Sequence, residues 1–511
     1  MIKKLNKNDF KIVLQFTAKA IMALGFTMII PIIVSIVYRE WESLFDFIIA
    51  MALCIIFGYT TIRSIKTDKT SPNMLQAMMI SATTWLFACA FCAIPLFLSG
   101  HYIYFIDSYF EVMSGFTTTG LIMVQDLDHM SNSLNMWRHL IAYIGGQGII
   151  VMALTFLLPA TGGSFKTMVS EGKDETLMPS IKNTARAIWI IALVSLAVGT
   201  IILSTIAWIE GFSFDKGLLH GMWMFISSWS TCGFAPQSQN AIFYHSFAFE
   251  IGCMIFMILG SFNFALHYAV WRGNVKELFR NIEVLSFTTT ASITTAMVAF
   301  GLFKSNIYTD VMSVIRRGLF NVVSAHTGTG QATVYSPQFA NSFGFHDIAF
   351  IGIIIATAVG GCMTSTAGGF KNMRIGLLFK TLVFEIKKLL APETAVMNIK
   401  YHHIKDHTLE LSTLKQVFFI FTCFTLMYFL ASFTGIMLGY DAKMATFEAT
   451  SAVATCGLSV GITGPHMPVT LKIVYIISMW VGRMEFLSIF ALFGALFVWI
   501  GSIFKRRARA S

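Results

Sequence analysis

Four short strings of Ser, Thr, Cys and Gly recur along the 511 residues. They are Ser114-Gly-Phe-Thr117-Thr118-Thr119-Gly120, Ser227-Ser-Trp-Ser230-Thr231-Cys232-Gly233, Ser324-Ala-His326-Thr327-Gly328-Thr329-Gly330 and Ser451-Ala-Val-Ala454-Thr455-Cys456-Gly457. In each, an aromatic residue stands ten positions before the last glycine and a Ser stands six before it. The residue two before is Thr in three strings and Gly328 in the third. The glycines are 113, 97 and 127 residues apart, so the strings mark a fourfold internal repeat. Four extended backbones around one axis would aim carbonyl oxygens at it, and such oxygens can replace the hydration shell of a monovalent cation. Glycine lets the backbone come close and adopt conformations costly for other residues. The strings themselves carry no acidic residue, unlike the carboxylate rings expected for a divalent cation. Glu111 and Glu448 lie nine residues before their glycines. They would either hydrogen-bond behind the strand or tune the field near an ion.

Each string ends an apolar segment of about 13 residues, near 104–116, 217–229, 311–325 and 441–454. At ~20 Å as a helix, such a segment is too short to cross a bilayer and suits a half-membrane re-entrant helix. The positioning elements are full spans on either side. Candidates lie near 16–38, 43–62, 77–99, 137–159, 186–209, 246–270, 286–303, 347–379, 413–437 and 470–500. The downstream spans carry small residues at a repeated place: Gly145-Gly146, Gly260-Ser261, Gly360-Gly361 and Gly482-Arg483 lie 25 to 30 residues after their strings. Small residues there let helices approach closely. The expected architecture is an all-α integral membrane protein. Four span–re-entrant helix–span repeats (76–160, 161–272, 273–390 and 391–511) surround a central pore, and 1–75 adds two spans.

Composition agrees. Apolar residues make up 56% and charged residues only 12%, against roughly 25% charged in soluble domains. That excludes a soluble enzyme, a disordered chain, a disulfide scaffold and a nucleic-acid binder. The net charge of +10 could be mistaken for a nucleic-acid footprint. Its placement says otherwise: 26 of the 36 Lys and Arg fall on the side holding both termini, and eight on the other. By the positive-inside rule both termini are cytoplasmic. The eight cysteines sit almost wholly in apolar runs, and Cys89-x-x-Cys92 reads as two small lipid-phase residues. No Walker A, GxSxG or HExxH string occurs, and Gly145-Gly-Gln-Gly148 lies mid-span rather than after a strand. The chain is therefore not expected to be an enzyme or to hold a nucleotide.

Two further strings carry a family resemblance. Gly360-Gly-Cys-Met-Thr364-Ser365-Thr366-Ala367-Gly368-Gly369-Phe-Lys371-Asn-Met-Arg374 and Gly482-Arg483-Met484-Glu485, with one glycine per repeat, resemble the Trk/Ktr/HKT superfamily of potassium transporters. The two extra N-terminal spans make the chain similar to its TrkH-type bacterial subunits. The resemblance implies potassium uptake across the inner membrane, with Thr118, Thr119, Gly120, Thr231, Cys232, Gly233, Gly328, Thr329, Gly330, Thr455, Cys456 and Gly457 as a potassium-binding selectivity filter. It also implies a homodimer in membrane lipid and a separate cytosolic ring of nucleotide-binding, RCK-type (TrkA-like) subunits.

The eighth span is interrupted. Its twelve apolar residues 348–359 span only ~18 Å before the glycine-rich stretch. That stretch would be either a closely packed kink or a mobile loop beneath the filter that gates the path. The resemblance favours a gate built from Gly360, Gly361, Thr364, Ser365, Thr366, Ala367, Gly368 and Gly369. Lys371 and Arg374 would anchor its cytoplasmic end. A charge deep in a span, as at Arg483, is costly and by default functional. Arg483 would pair with Glu485 or stand below the filter as an electrostatic barrier, and the resemblance favours the barrier. Asn263 and His267, four apart in the sixth span, read chiefly as helix-packing groups. The alternative to a channel-like path is proton- or sodium-coupled symport, for which Glu485 and His267 are weak relay candidates.

Overall fold

The computed structural model describes residues 7–65, 72–124, 126–148, 181–305, 308, 310–334, 346–392 and 397–507. Among them, six helices are long and apolar enough to cross a membrane, and eight if two sharply bent pairs each count as one span. Exposed apolar side chains such as Ile201, Phe303 and Phe429 stand on the outside, where lipid is the solvent. The only strands among the described residues form one antiparallel hairpin, Lys400–His403 with Lys405–Thr408, which periodicity had not suggested.

The four expected short segments are helices: Phe105–Phe116, Phe214–Trp229, Val311–His326 and Ala442–Val453. Their starts share a signal missed in the sequence, an Asp at the N-cap or in the first turn. Asp310 accepts the Ser313 N–H at 2.7 Å, and Asp441 accepts that of Lys443 at 2.9 Å. Asp107 and Asp215 lie in the first turns of the other two. An acid there satisfies free N–H groups and complements the helix dipole.

Packing closes these helices into a ring. Each lies against the two spans of its own repeat. Each also receives the closing span of the repeat before it. Asn132–Gln147 packs on Phe214–Trp229, Phe247–Ser261 on Val311–His326, Asp347–Val359 on Ala442–Val453, and Val469–Arg483 returns to Phe105–Phe116. Lys472 on the last of these spans donates to Asp107 at 2.5 Å with both side chains buried.

The closing spans correct an expectation. Only the eighth span was expected to be interrupted, yet all four closing helices end at corresponding places: at Gln147, Ser261, Val359 and Arg483. Gly148 and Gly360 leave their helices with positive φ. After Ser261 the chain restarts at Phe264 with a bend of 103°. After Arg483, Glu485 and Phe486 both take positive φ, and the chain bends by 112° into Leu487–Gly501. Asn263 and His267 therefore do not share one helix face. Asn263 caps the restarted helix by accepting the Ala265 N–H at 2.7 Å, and His267 hydrogen-bonds back to the Leu259 carbonyl at 2.7 Å. The expected extension of the fourth span to residue 159, and the repeat boundary at 160, fall outside the described residues.

Candidate functional site

The short helices deliver their four strings to one axis with one backbone pattern. The residue before each glycine donates its N–H to the Ser five positions earlier: Thr119 to Ser114 at 2.7 Å, Cys232 to Ser227 at 3.0 Å, Thr329 to Ser324 at 2.8 Å and Cys456 to Ser451 at 2.9 Å. The residue two before is left-handed throughout, with φ of 57° at Thr118, 50° at Thr231, 69° at Gly328 and 51° at Thr455. The third string, which differs in sequence, therefore keeps the conformation of the others. Gly328 takes without strain a geometry that is costly for β-branched Thr.

The terminal glycines interlock in a cycle. A Cβ on Gly120 would overlap the carbonyl oxygen of Cys232, one on Gly233 that of Thr329, one on Gly330 that of Cys456, and one on Gly457 that of Thr119. Each glycine lies against the carbonyl preceding the next glycine, and the fourth returns to the first. The strands hence run in chain order around one axis, so close that only hydrogen fits between neighbours. Their short helices end beside them, bringing four partially negative C-termini toward that axis.

Glu111 and Glu448 stand behind the strands. Glu111 accepts the Met123 N–H at 2.6 Å and pairs with Arg138 at 2.7 Å, with both side chains fully buried. Glu448 accepts the N–H groups of Val460 at 2.8 Å and Thr463 at 2.9 Å and the Ser459 hydroxyl at 2.7 Å. In the third repeat Asn321 occupies the same position and donates to the Thr333 hydroxyl at 3.1 Å. Met123, Thr333 and Val460 all lie three residues after their glycines. These side chains thus brace the outgoing limb of the strand, the structural one of the two roles read from sequence. Arg138 and Lys472 are both buried in ion pairs.

The stretch between Val359 and Asn372 folds under the four strands as a compact loop. Thr118 donates its hydroxyl to the Thr366 carbonyl at 3.1 Å, and Thr231 donates to the Thr366 hydroxyl at 3.0 Å. A Cβ on Gly328 would lie 3.5 Å from the Gly368 nitrogen, and one on Gly368 would overlap the Thr455 hydroxyl. The loop therefore touches the left-handed residue of every strand. Thr366 is its hub, with its hydroxyl 2.8 Å from the Gly260 carbonyl and 3.1 Å from that of Trp229. The loop is also tied to itself. Ser365 donates to Cys362 O at 2.6 Å, Gly361 N to Gly368 O at 3.4 Å, and Lys371 Nζ to Ala367 O at 2.5 Å. Thr364 and Gly369 supply left-handed turns. Asn372 accompanies them by donating to Gly360 O at 2.9 Å.

Three cations crowd this loop. Arg483 donates to the Thr366 carbonyl, and to those of Gly145 at 3.0 Å and Gly146 at 3.3 Å. Glu485 receives Arg374, and Lys371 lies 4.0 Å away. Lys371 and Arg374 are buried, so they hold the loop rather than anchor it to a membrane surface. Sequence reasoning missed Glu283, which accepts the Met363 N–H at 2.6 Å. Only its isolated acidity near a span end could have drawn notice.

Comparison with known proteins places the chain in a family. A family model, TrkH, described as a cation transport protein, matches residues 43–497, and the chain belongs to that family of membrane transporters. It is 30% identical over 497 residues to an uncharacterized cation transporter of Methanocaldococcus jannaschii, covering 97% of this chain and 98% of that one. It is 28% identical over 508 residues to the Trk system potassium uptake protein TrkG of Escherichia coli, covering 96% and 99%. The crystal structure of the potassium transporter TrkH from Vibrio parahaemolyticus shares the fold, with a TM-score of 0.80 at 23% identity over 94% of this chain and 98% of that one.

Proposed function

We propose that this chain is a potassium-uptake subunit that conducts the ion through the ring of four glycine strands. One observation carries the reading: each terminal glycine abuts the carbonyl oxygen preceding the next, in an unbroken cycle. Neutral backbone oxygens around an axis can stand in for a monovalent cation's water. Four helix C-termini add a favourable field without a fixed carboxylate, which would favour divalent ions. Residues 118–120, 231–233, 328–330 and 455–457 form the selectivity filter.

The loop from Gly360 to Gly369 is the gate, held closed by Thr366 and by the Lys371–Glu485–Arg374 cluster. Arg483 is the barrier below it, where a cation leaving the filter meets a guanidinium bonded to the loop. The chain sits in the inner membrane with cytoplasmic termini. It works as a homodimer and is regulated by a cytosolic nucleotide-binding ring.

The test is Gly120→Ser, measured as rubidium uptake against sodium competition in a potassium-uptake-deficient strain. The added Cβ collides with the Cys232 carbonyl, so that oxygen is displaced and discrimination against sodium should fall. An unchanged ratio at normal membrane abundance would overturn the filter assignment.

A further inference from the structure

The four strands are alike in backbone but not at their outer mouth. Asn240 lies seven residues after Gly233, at the start of the 3-10 turn Asn240–Tyr244, in the left-handed region with φ of 54°. Its Nδ2 donates to the Gly233 carbonyl at 3.2 Å. Its Oδ1 accepts the N–H of Ala241 at 2.8 Å and that of Ala332 at 3.3 Å. Two backbone donors on the oxygen side leave the amide a single sensible orientation, with nitrogen toward Gly233. One side chain thus ties the last carbonyl of the second strand to the chain just past Gly330. A second tie lies deeper at the same boundary, where Gln331 donates to Ser228 at 3.1 Å.

Among the described residues, no side chain donates to the carbonyls of Gly120, Gly330 or Gly457. Asn240 shares with those glycines the wall of an outward-facing cavity of about 200 Å³, so its amide stands where a cation would first meet the strands.

We infer that Asn240 is a positioning residue for ion selectivity at the outermost ring. It restrains the Gly233 carbonyl, whose oxygen it shares through an N–H. Two consequences point the same way. A restrained carbonyl cannot swing inward to fit a smaller ion. An oxygen that already accepts a hydrogen bond presents a weaker field, which favours the more weakly hydrated potassium over sodium. The inference rests on the reading of the strands as the filter, and the experiment separates the two.

The variants are Asn240→Gly, which keeps the left-handed backbone without a side chain, and Asn240→Asp, which keeps size and the acceptor oxygen but turns the donor into a second, negatively charged acceptor facing the Gly233 carbonyl. Rubidium uptake against sodium competition is measured for both, beside Gly233→Ser. Both Asn240 variants should lose roughly fivefold in selectivity, the factor one net hydrogen bond is worth, with maximal uptake per membrane-resident copy retained. If both keep the original ratio while Gly233→Ser loses it, the Asn240 assignment is wrong and the filter stands. If Gly233→Ser keeps the ratio too, the filter reading falls and takes this inference with it. Should Asn240→Gly fail to accumulate, Asn240→Ala, which removes the amide without adding a charge, takes its place.

Discussion

Replacing Thr366 by Val would test the loop as a gate. Valine matches threonine in shape and branching, so the loop backbone is undisturbed. What disappears is one hydroxyl that accepts from Thr231 at 3.0 Å and donates its single proton to either Gly260 O at 2.8 Å or Trp229 O at 3.1 Å. Two hydrogen bonds are lost, and both exist only while the loop lies under the strands. At about 1 kcal/mol net for each, the closed position loses about 2 kcal/mol relative to any position in which these groups meet water. Since 1.36 kcal/mol is a factor of ten, the open-to-closed ratio should rise by about 30-fold. The contacts of Arg483 and Thr118 with the Thr366 carbonyl remain, so the loop is loosened rather than unfolded. The assay is rubidium flux into proteoliposomes holding the chain alone, without any cytosolic partner. Basal flux should rise by about that factor, with selectivity over sodium unchanged because no strand residue is altered. Thr366→Val protein that is folded, present at equal density and no leakier than the parent would refute the gating role.

Two further outcomes follow from other parts of the structure. Arg138→Met leaves Glu111 as a buried charge without its partner and should cost about 3–5 kcal/mol. Thermal unfolding in detergent should register the loss, and Arg138→Met combined with Glu111→Gln should recover part of it; no recovery would mean the pair is not what braces the strand. The hairpin Lys400–Thr408 should respond to pH. Hydrogen bonds from His402 to Asp406 at 2.7 Å and to Glu277 at 3.1 Å raise the imidazole's pKa, the Asp406 bond being the larger cause. A raised folded-state value means the stabilisation is complete below the ordinary histidine value of about 6.5 and fades as pH climbs through the raised one. Amide exchange over 400–408, corrected for intrinsic rates, should therefore quicken across that interval in the parent and not in His402→Gln; equal pH profiles would disprove the coupling.

Much of the site could be read in advance because its constraints are local. A backbone that must turn left-handed twice within three residues needs Gly or a tolerated Thr at set positions, and this requirement writes itself into the chain four times. The bilayer likewise forces apolar runs of a given length and sorts the charges by side. Breaks in the closing spans were harder to see. Gly360-Gly361 stood out because glycines cluster there, whereas Phe262-Asn263 and Met484-Phe486 are ordinary helix formers on their own. Those bends exist because Asn263 finds an N–H to cap and because Glu485 is drawn to Arg374, partners 111 residues apart in the latter case.

Sequence by itself thus determined that the chain crosses a membrane, that it repeats four times and that a glycine strand closes each short helix. Tertiary structure alone decided that the strands interlock in chain order, that Glu111 and Glu448 face backbone N–H groups, that Arg374 reaches the Glu485 carboxylate, and that Asn240 reaches the carbonyl of Gly233. The division has a physical cause. Membrane burial and backbone handedness act on each residue wherever it is. A buried charge or amide is satisfied only by whatever group packing brings to it, and that group can lie hundreds of residues away.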